Sequence, residues 1–361
     1  MRWTRLFAVL TLLLGAQAQA QDKVVNVYNW TDYIDPKVLE AFTKQTGIKV
    51  QYDVYDSLET LEGKMLTGKS GYDVVVPTAE PTFSRLIKAG ALQPLDKSKI
   101  PNLRNEDPAL MKRVETSDPG NKYGAIYLWG TLGLGAVPTK IKALAPDAPI
   151  DSWDLLLKPE WAKKVAPCGI VLMDSAIDTI PSVLKYLGKD PDSSDPKDLV
   201  AVENTLMAIR PYIRTFASGG ALEMLASNEI CLAMDYSGDV VQAASRAAEA
   251  KKDAVEYILP KQFTEYTFDM LAVPKDAPHP EYAMAFINFI LQPANMAAIT
   301  NKVGYPNAEP DSLPMVDADV KSNKNVFPTP DMLAHGFTAK APSPAAERAR
   351  TRMWARFKAG S

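Results

Sequence analysis

The sequence predicts an α/β protein of two lobes joined by a hinge. Three observations predict it. Strands and helices alternate between Val24 and Ala89. A glycine-rich extended run, Gly130-Thr131-Leu132-Gly133-Leu134-Gly135, separates this set from a second one. Apolar segments at Val255–Leu259 and Phe268–Val273 then hand the chain back to the first set. Strands that alternate with helices make parallel sheets with helices on both faces. A chain that leaves a lobe and re-enters it builds a hinge, with its ligand between the lobes.

The elements follow in order. Val24 to Tyr28 reads as a buried strand. Asp35 and Pro36 start a helix, the first as N-cap and the second at the first helical position. Val38, Leu39 and Phe42 fall at helical spacing, and Gly47 is the stop. Ile48–Tyr55 is a strand and Leu58–Leu66 a helix. Tyr72–Pro77 is a short strand ended by its proline, and Phe83–Ala89 is a helix. The glycine run lacks the Lys-Ser/Thr ending of a phosphate loop, so it reads as an extended crossover between lobes. Asp151–Leu157 is a capped helix and Val171–Met173 a strand. Thr179–Leu187 and Asp198–Ile209 are helices. Ile230–Met234 is a strand, and a helix runs on from Val240. Val255–Leu259 and Phe268–Val273 form a pair of strands. Tyr282–Leu291 is a helix broken by Pro293. Ala345–Lys358 is a basic amphipathic helix with Trp354 and Phe357 on its apolar side.

The first twenty residues read as a secretory signal. Arg2 and Arg5 are basic, Leu6–Leu14 is apolar, and Ala18-Gln19-Ala20 is a small-residue cleavage site. The apolar run is too short to span a bilayer, and no later segment resembles a transmembrane helix. No Cys stands at the cleavage site to carry a lipid. Without the leader, 38 basic residues face 43 acidic ones. That mildly acidic balance argues against nucleic acid as a partner. There are two cysteines, Cys168 and Cys231. An even count in an oxidising compartment favours one disulfide, the alternative being two buried thiols. Histidine is scarce, with only His279 and His335, and there is no Cys/His cluster for zinc.

The stretch Val27-Tyr28-Asn29-Trp30-Thr31-Asp32-Tyr33-Ile34 sets two aromatics and a carboxylate where the first strand runs out. In open α/β sheets ligands bind beyond the carboxyl ends of the strands. Ring faces with a carboxylate suit an organic cation: the rings attract the charge and cover the alkyl part, and the carboxylate holds the ammonium. The plainer alternative is two core aromatics beside a solvated Asp32. Carboxylates recur at strand ends: Asp32, Asp174, Asp178, Asp239 and Asp269. Aromatics stand near them: Trp30, Tyr33, Tyr236, Tyr266 and Phe268. For any single Asp a capping role explains as much as a ligand role, and the case rests on the set. No nucleophile elbow, P-loop, dinucleotide fingerprint or HExxH occurs, and neither His has a Ser or Cys partner. A glycosidase would use paired carboxylates, but these are scattered over many strand ends.

Taken together, Tyr28–Ile34, Tyr72-Asp73-Val74-Val75-Val76-Pro77-Thr78, Tyr236-Ser237-Gly238-Asp239-Val240, Phe268-Asp269, Tyr305-Pro306-Asn307-Ala308 and Arg350-Thr351-Arg352-Met353-Trp354 resemble the bacterial periplasmic spermidine/putrescine-binding proteins. These are the substrate-binding components of polyamine ABC importers. The likeness runs from about Val24 to the C-terminus, and Cys168 and Cys231 look like the disulfide of the putrescine-binding branch. The resemblance implies a type II periplasmic binding fold, with lobe 1 formed by 21–133 and 256–304 and lobe 2 by 134–255 and 305–361. It implies a periplasmic monomer that captures a polyamine or related cation and delivers it to an ABC permease in the inner membrane. It implies no catalysis, no cofactor and no metal. Other readings are a binding protein for a solute such as γ-aminobutyrate, for which Arg85 and Arg214 are the available cations, or a secreted hydrolase.

By the same resemblance, Trp30 and Tyr33 wall the pocket and Asp32 meets an ammonium. Thr78 stands where the family has a Ser, and Asp178 where it has a Glu. Ser218 lies in a Ser-containing loop. Tyr236 replaces a Trp, Asp239 is the central carboxylate, Thr267 replaces an aromatic, Asp269 is the second central Asp, and Tyr305 closes the far side. Ala79-Glu80-Pro81-Thr82 also departs from the family's small polar residues. These departures imply a thinner ring clamp and a roomier pocket.

Overall fold

The computed structural model describes residues 23–217 and 221–360. The expected signal at 1–20 and Ser218 lie outside the described residues. The strands are β1 (Val24–Trp30), β2 (Lys49–Tyr55), β3 (Val74–Val75), β4 (Leu92–Gln93), β5 (Gly124–Ala136), β6 (Ile170–Met173), β7 (Thr215–Ala217), β8 (Leu232–Tyr236), β9 (Glu256–Ile258), β10 (Thr264–Pro274) and β11 (Gly336–Phe337). They form one sheet with the main order β2-β1-β3-β10-β5-β8-β6-β7.

The outer strands of each half are parallel, as expected: β1 with β2 and β3, and β6 with β7 and β8. The centre differs from the expectation of a parallel sheet. β10 runs antiparallel to β3 and β5, and β5 antiparallel to β8. The reason is that β5 and β10 carry the chain between lobes in opposite directions. Every residue of both strands is buried, which explains the mainly apolar sequence of β5, whereas the first half of β10 carries the buried polar residues Thr264, Glu265, Thr267 and Asp269. The glycine run lies in β5, where a side chain on Gly133 would strike the Ile258 carbonyl and the Tyr257 ring. The two expected strands at Val255–Leu259 and Phe268–Val273 both form, as β9 and β10, and β9 pairs with β5.

Local rules account for most helices. The Pro36–Thr46 helix has Asp35 as N-cap, accepting from the Lys37 N–H at 3.0 Å, and ends at left-handed Gly47. The Leu58–Leu66 helix is capped by Ser57. The predicted Asp151–Leu157 helix shortens to Asp154–Leu157, because Ser152 and Trp153 are spent on contacts with Gln262 and Phe263.

The first lobe packs a core on each face of its sheet, one around Phe42, Tyr127 and Phe286, the other around Leu61, Phe83 and Met270. The second lobe has one core, around Trp153, Leu172 and Val202. The closing helix, Pro344–Ala359, seats Met353, Trp354 and Phe357 in that second core. The segment before it differs from the expectation for 305–361. Tyr305 and Ala308 join first-lobe cores, Trp129 donates to the Pro306 carbonyl, and Leu128 bridges Asn307. This short stretch has no periodicity to read. The open edge of β5 determines where it goes. Cys168 and Cys231 form a disulfide with a sequence separation of 63 residues. Among the described residues no single helix is long and apolar enough to cross a membrane.

Candidate ligand-binding site

The carboxyl ends of β1, β2, β6 and β8 converge with the cleft face of β10 on one cleft of about 880 Å³. Nine of the expected residues line it: Trp30, Tyr33, Thr78, Asp178, Tyr236, Asp239, Thr267, Asp269 and Tyr305.

Trp30 ends β1 and donates its indole N–H to the Val76 carbonyl at 3.1 Å. Its ring tilts on Tyr55, with centroids 4.6 Å apart. Tyr33 meets the Tyr305 ring edge-on at 4.9 Å, and this geometry is a favourable one for aromatic pairs. Asp269 sits where β10 crosses the cleft. Tyr33 donates its hydroxyl to one carboxylate oxygen at 2.7 Å, and Thr78 donates to the other at 2.6 Å. Both oxygens are therefore aimed before any ligand arrives. Tyr305 donates to Asp239 at 2.9 Å, a bond that joins the two lobes. Gly238 makes this possible, since a side chain there would enter the Tyr305 ring. Ser175 donates to Asp178, which burial surrounds with Tyr236 as a further hydroxyl partner.

Burial raises the carboxyls of Asp178, Asp239 and Asp269 to about 6 each. Hydroxyl donors act against that shift, and neighbouring carboxylates add to it. Asp235, buried beside Asp239, is pushed well above the usual carboxylate range, first by desolvation and then by that neighbour.

The pleat of β10 corrects one part of the sequence reading. Thr267 and Asp269 face the cleft, so Tyr266 and Phe268 face the opposite way and pack in a first-lobe core. Asp32 is not among the cleft-lining residues. It occupies the left-handed region at φ 55 and pairs with Arg246 of the second lobe at 3.1 Å, on the rim. Sequence reasoning missed Tyr55, Asp56, Glu59 and Asp235, all lining residues. The signal for Tyr55 was available: β2 runs parallel to β1 and ends in register with it, Trp30 opposite Tyr55.

Seven of the lining residues carry carboxylates, and none of them is Lys, Arg or His. Among the described residues no group of three or more His, Cys, Asp or Glu side chains is placed to hold a metal ion. A desolvated acidic cleft with ring walls can hold an organic cation through charge-assisted hydrogen bonds and ring faces.

A profile of bacterial extracellular solute-binding proteins matches residues 37–329. The chain belongs to that family. Its relatives include the putrescine-binding periplasmic protein SpuD of Pseudomonas aeruginosa, 46% identical over 364 residues and covering 99% of both chains. The putrescine-binding periplasmic protein PotF of Escherichia coli is 43% identical over 356 residues, 98% of this chain and 96% of that one. Among solved structures, the spermidine/putrescine ABC transporter substrate-binding protein PotD of Streptococcus pneumoniae superposes with a TM-score of 0.76. It is 28% identical, and the match covers 94% of this chain and 99% of that one. This solute-binding protein therefore has the type II periplasmic binding architecture.

Proposed function

We propose that the protein captures a small aliphatic polyamine in the periplasm and delivers it to an ABC permease in the inner membrane, acting as a monomer and not as a catalyst. The observation that carries this reading is the charge of the cleft: seven carboxylates and no basic side chain among its lining residues. A ligand carboxylate, as in γ-aminobutyrate, would meet like charge there. Arg85, one cation considered for it, is already paired with Glu62 and Glu347. The other, Arg214, donates to the Glu229 carbonyl.

In this reading Asp239 and Asp269 receive ammonium groups, Asp178 receives a third donor, and Trp30, Tyr33, Tyr236 and Tyr305 cover the methylenes. Thr78 holds Asp269, and Thr267 widens the wall. Asp32 acts from the rim, through Arg246. The ligand touches both lobes at once, so it binds the closed state better than the open one and shifts the population toward it. Closure also strengthens each ammonium–carboxylate contact by removing water.

A thermal-shift screen tests the reading. Putrescine, cadaverine, agmatine or spermidine should raise Tm, because a ligand that binds only the folded state stabilises it by mass action. Sugars and acidic amino acids should leave Tm unchanged. A shift with glutamate or a sugar and none with any amine would refute it.

A further inference from the structure

A second cavity of about 1570 Å³ opens beside the ligand cleft and shares Asp56, Ser57, Glu59 and Asp174 with it. Its wall includes Glu265 of β10. Successive side chains of a strand alternate between faces, so Glu265, Thr267 and Asp269 all point to the same side of β10. The Cα atoms of Glu265 and Asp269 lie about 13 Å apart at ordinary strand rise. A four-carbon diamine held at Asp269 falls short of Glu265, whereas a triamine extends further along the strand.

Glu265 is 6% exposed. Its carboxylate accepts from the Ser182 hydroxyl at 3.4 Å and from the Ala339 backbone N–H. Those two donors leave lone pairs unused. Among the described residues it has no ion-pair partner within 4.0 Å. The basic groups around the cavity make their direct contacts elsewhere: Arg85 with Glu62 and Glu347, Lys358 with Asp174, and Arg350, through one terminal nitrogen, with the Pro191 and Ser193 carbonyls. Lys340 is exposed. Asp178 and Ser182 lie four residues apart on one face of the Ala176–Tyr186 helix, so this helix faces both the main cleft and Glu265. Burial and the Asp178 charge hold the Glu265 carboxyl well above the ordinary range. Arg350, buried on the same cavity wall, interacts with the Glu265 charge from beyond ion-pair distance. A buried acid with no counter-ion in direct contact is an arrangement that an incoming cation relieves.

We infer that Glu265 is a specificity-determining residue that receives the distal ammonium of a triamine lying along β10, in a subsite that a four-carbon diamine leaves unfilled. The inference rests on the polyamine reading and names the ligand length the site is built for. Ser182 and the Ala339 N–H position the carboxylate, and the Asp178 charge acts on both Glu265 and Asp269.

The test is calorimetry on the full mature protein with putrescine and spermidine, comparing wild type with Glu265→Gln, which keeps the side chain's shape and acceptor oxygen. Spermidine affinity should fall at least tenfold and putrescine affinity should change less than twofold. Equal losses for both ligands, no loss for either, or a wild type that binds putrescine but not spermidine would overturn the assignment. If wild type binds no amine at all, the polyamine reading itself has failed, which is a separate result. The ligand provides a check that does not depend on the variant folding. Of the two mono-N-acetylspermidines, at least one should bind wild type no more tightly than putrescine, because it lacks the charge that Glu265 receives. Both binding as tightly as spermidine would overturn the assignment.

Discussion

Replacing Asp269 by Asn should weaken ligand binding and stabilise the ligand-free protein at the same time. Asp269 is 8% exposed and accepts from Tyr33 and Thr78. Asn keeps the volume and one acceptor oxygen, and a hydroxyl can turn to accept from its amide. An ammonium about 4 Å from a carboxylate gains about 4 kcal/mol at the effective dielectric of a partly desolvated site. Part of this is offset because Asp178 and Asp239 still attract the ligand. The expected loss is about 2–4 kcal/mol, or roughly 30- to 1000-fold in Kd. Without ligand the sign reverses. Burial and the like charges of Asp239 and Asp178 raise the Asp269 carboxyl to about 6. A rise of roughly two pH units means that ionising it at pH 7 costs the folded state about 2–3 kcal/mol. Asn removes that cost. For a chain of this length each kcal/mol moves Tm by about 1.4 °C, so Tm should rise by about 3–4 °C. Calorimetry with the strongest amine from the screen and scanning of the ligand-free protein measure both. An affinity within threefold of wild type, or a Tm that falls, would refute the reasoning.

Other outcomes follow from the same geometry. The carboxyls of Asp178, Asp239 and Asp269 are raised to about 6 in the ligand-free fold. Their stabilising contribution is therefore present at low pH and lost as pH rises through 6, so ligand-free Tm should rise between pH 7 and 5 while diamine affinity falls, with protons released on binding near pH 6. Gly238→Ala should weaken binding tenfold or more by displacing Tyr305 from Asp239, and fluorescence titration would detect it; unchanged affinity would show that Tyr305 is not needed. Arg246→Ala removes a half-exposed contact between the lobes and should cost at most about 1 kcal/mol of affinity, seen as faster ligand release in stopped flow. Reducing Cys168–Cys231 should lower stability by up to about 4 kcal/mol in denaturant unfolding and leave binding stoichiometry unchanged, since neither cysteine lines the cleft. Free thiols in freshly prepared oxidised protein would contradict the bridge.

Much of the fold was legible because it is local. Asp35, Pro36 and Gly47 mark both ends of one helix, and the predicted Leu58–Leu66 helix forms over those residues. The glycine run correctly announced an extended crossover, β5. The carboxylates at strand ends were legible for the same reason: a strand followed by Asp or Trp-Thr-Asp is a pattern within a few residues.

The chain's own order of residues determined the α/β class, the crossover and many of the side chains that reach the cleft, because periodicity and capping act over one or two turns. Only the tertiary structure decided which of those side chains meet. Asp32 and Asp239 look alike in sequence, yet Arg246 draws one to the rim while Tyr305 holds the other inside. Tyr266 and Thr267 are neighbours, and the pleat of β10 sends one to a core and the other to the cleft. Asp235 enters the site because β8 is packed beside β5, a strand far away in sequence. The direction of β10 and the place of the Tyr305 segment depend on which strand edges remain open. That is set by backbone hydrogen bonding between distant segments, and a local pattern does not encode it.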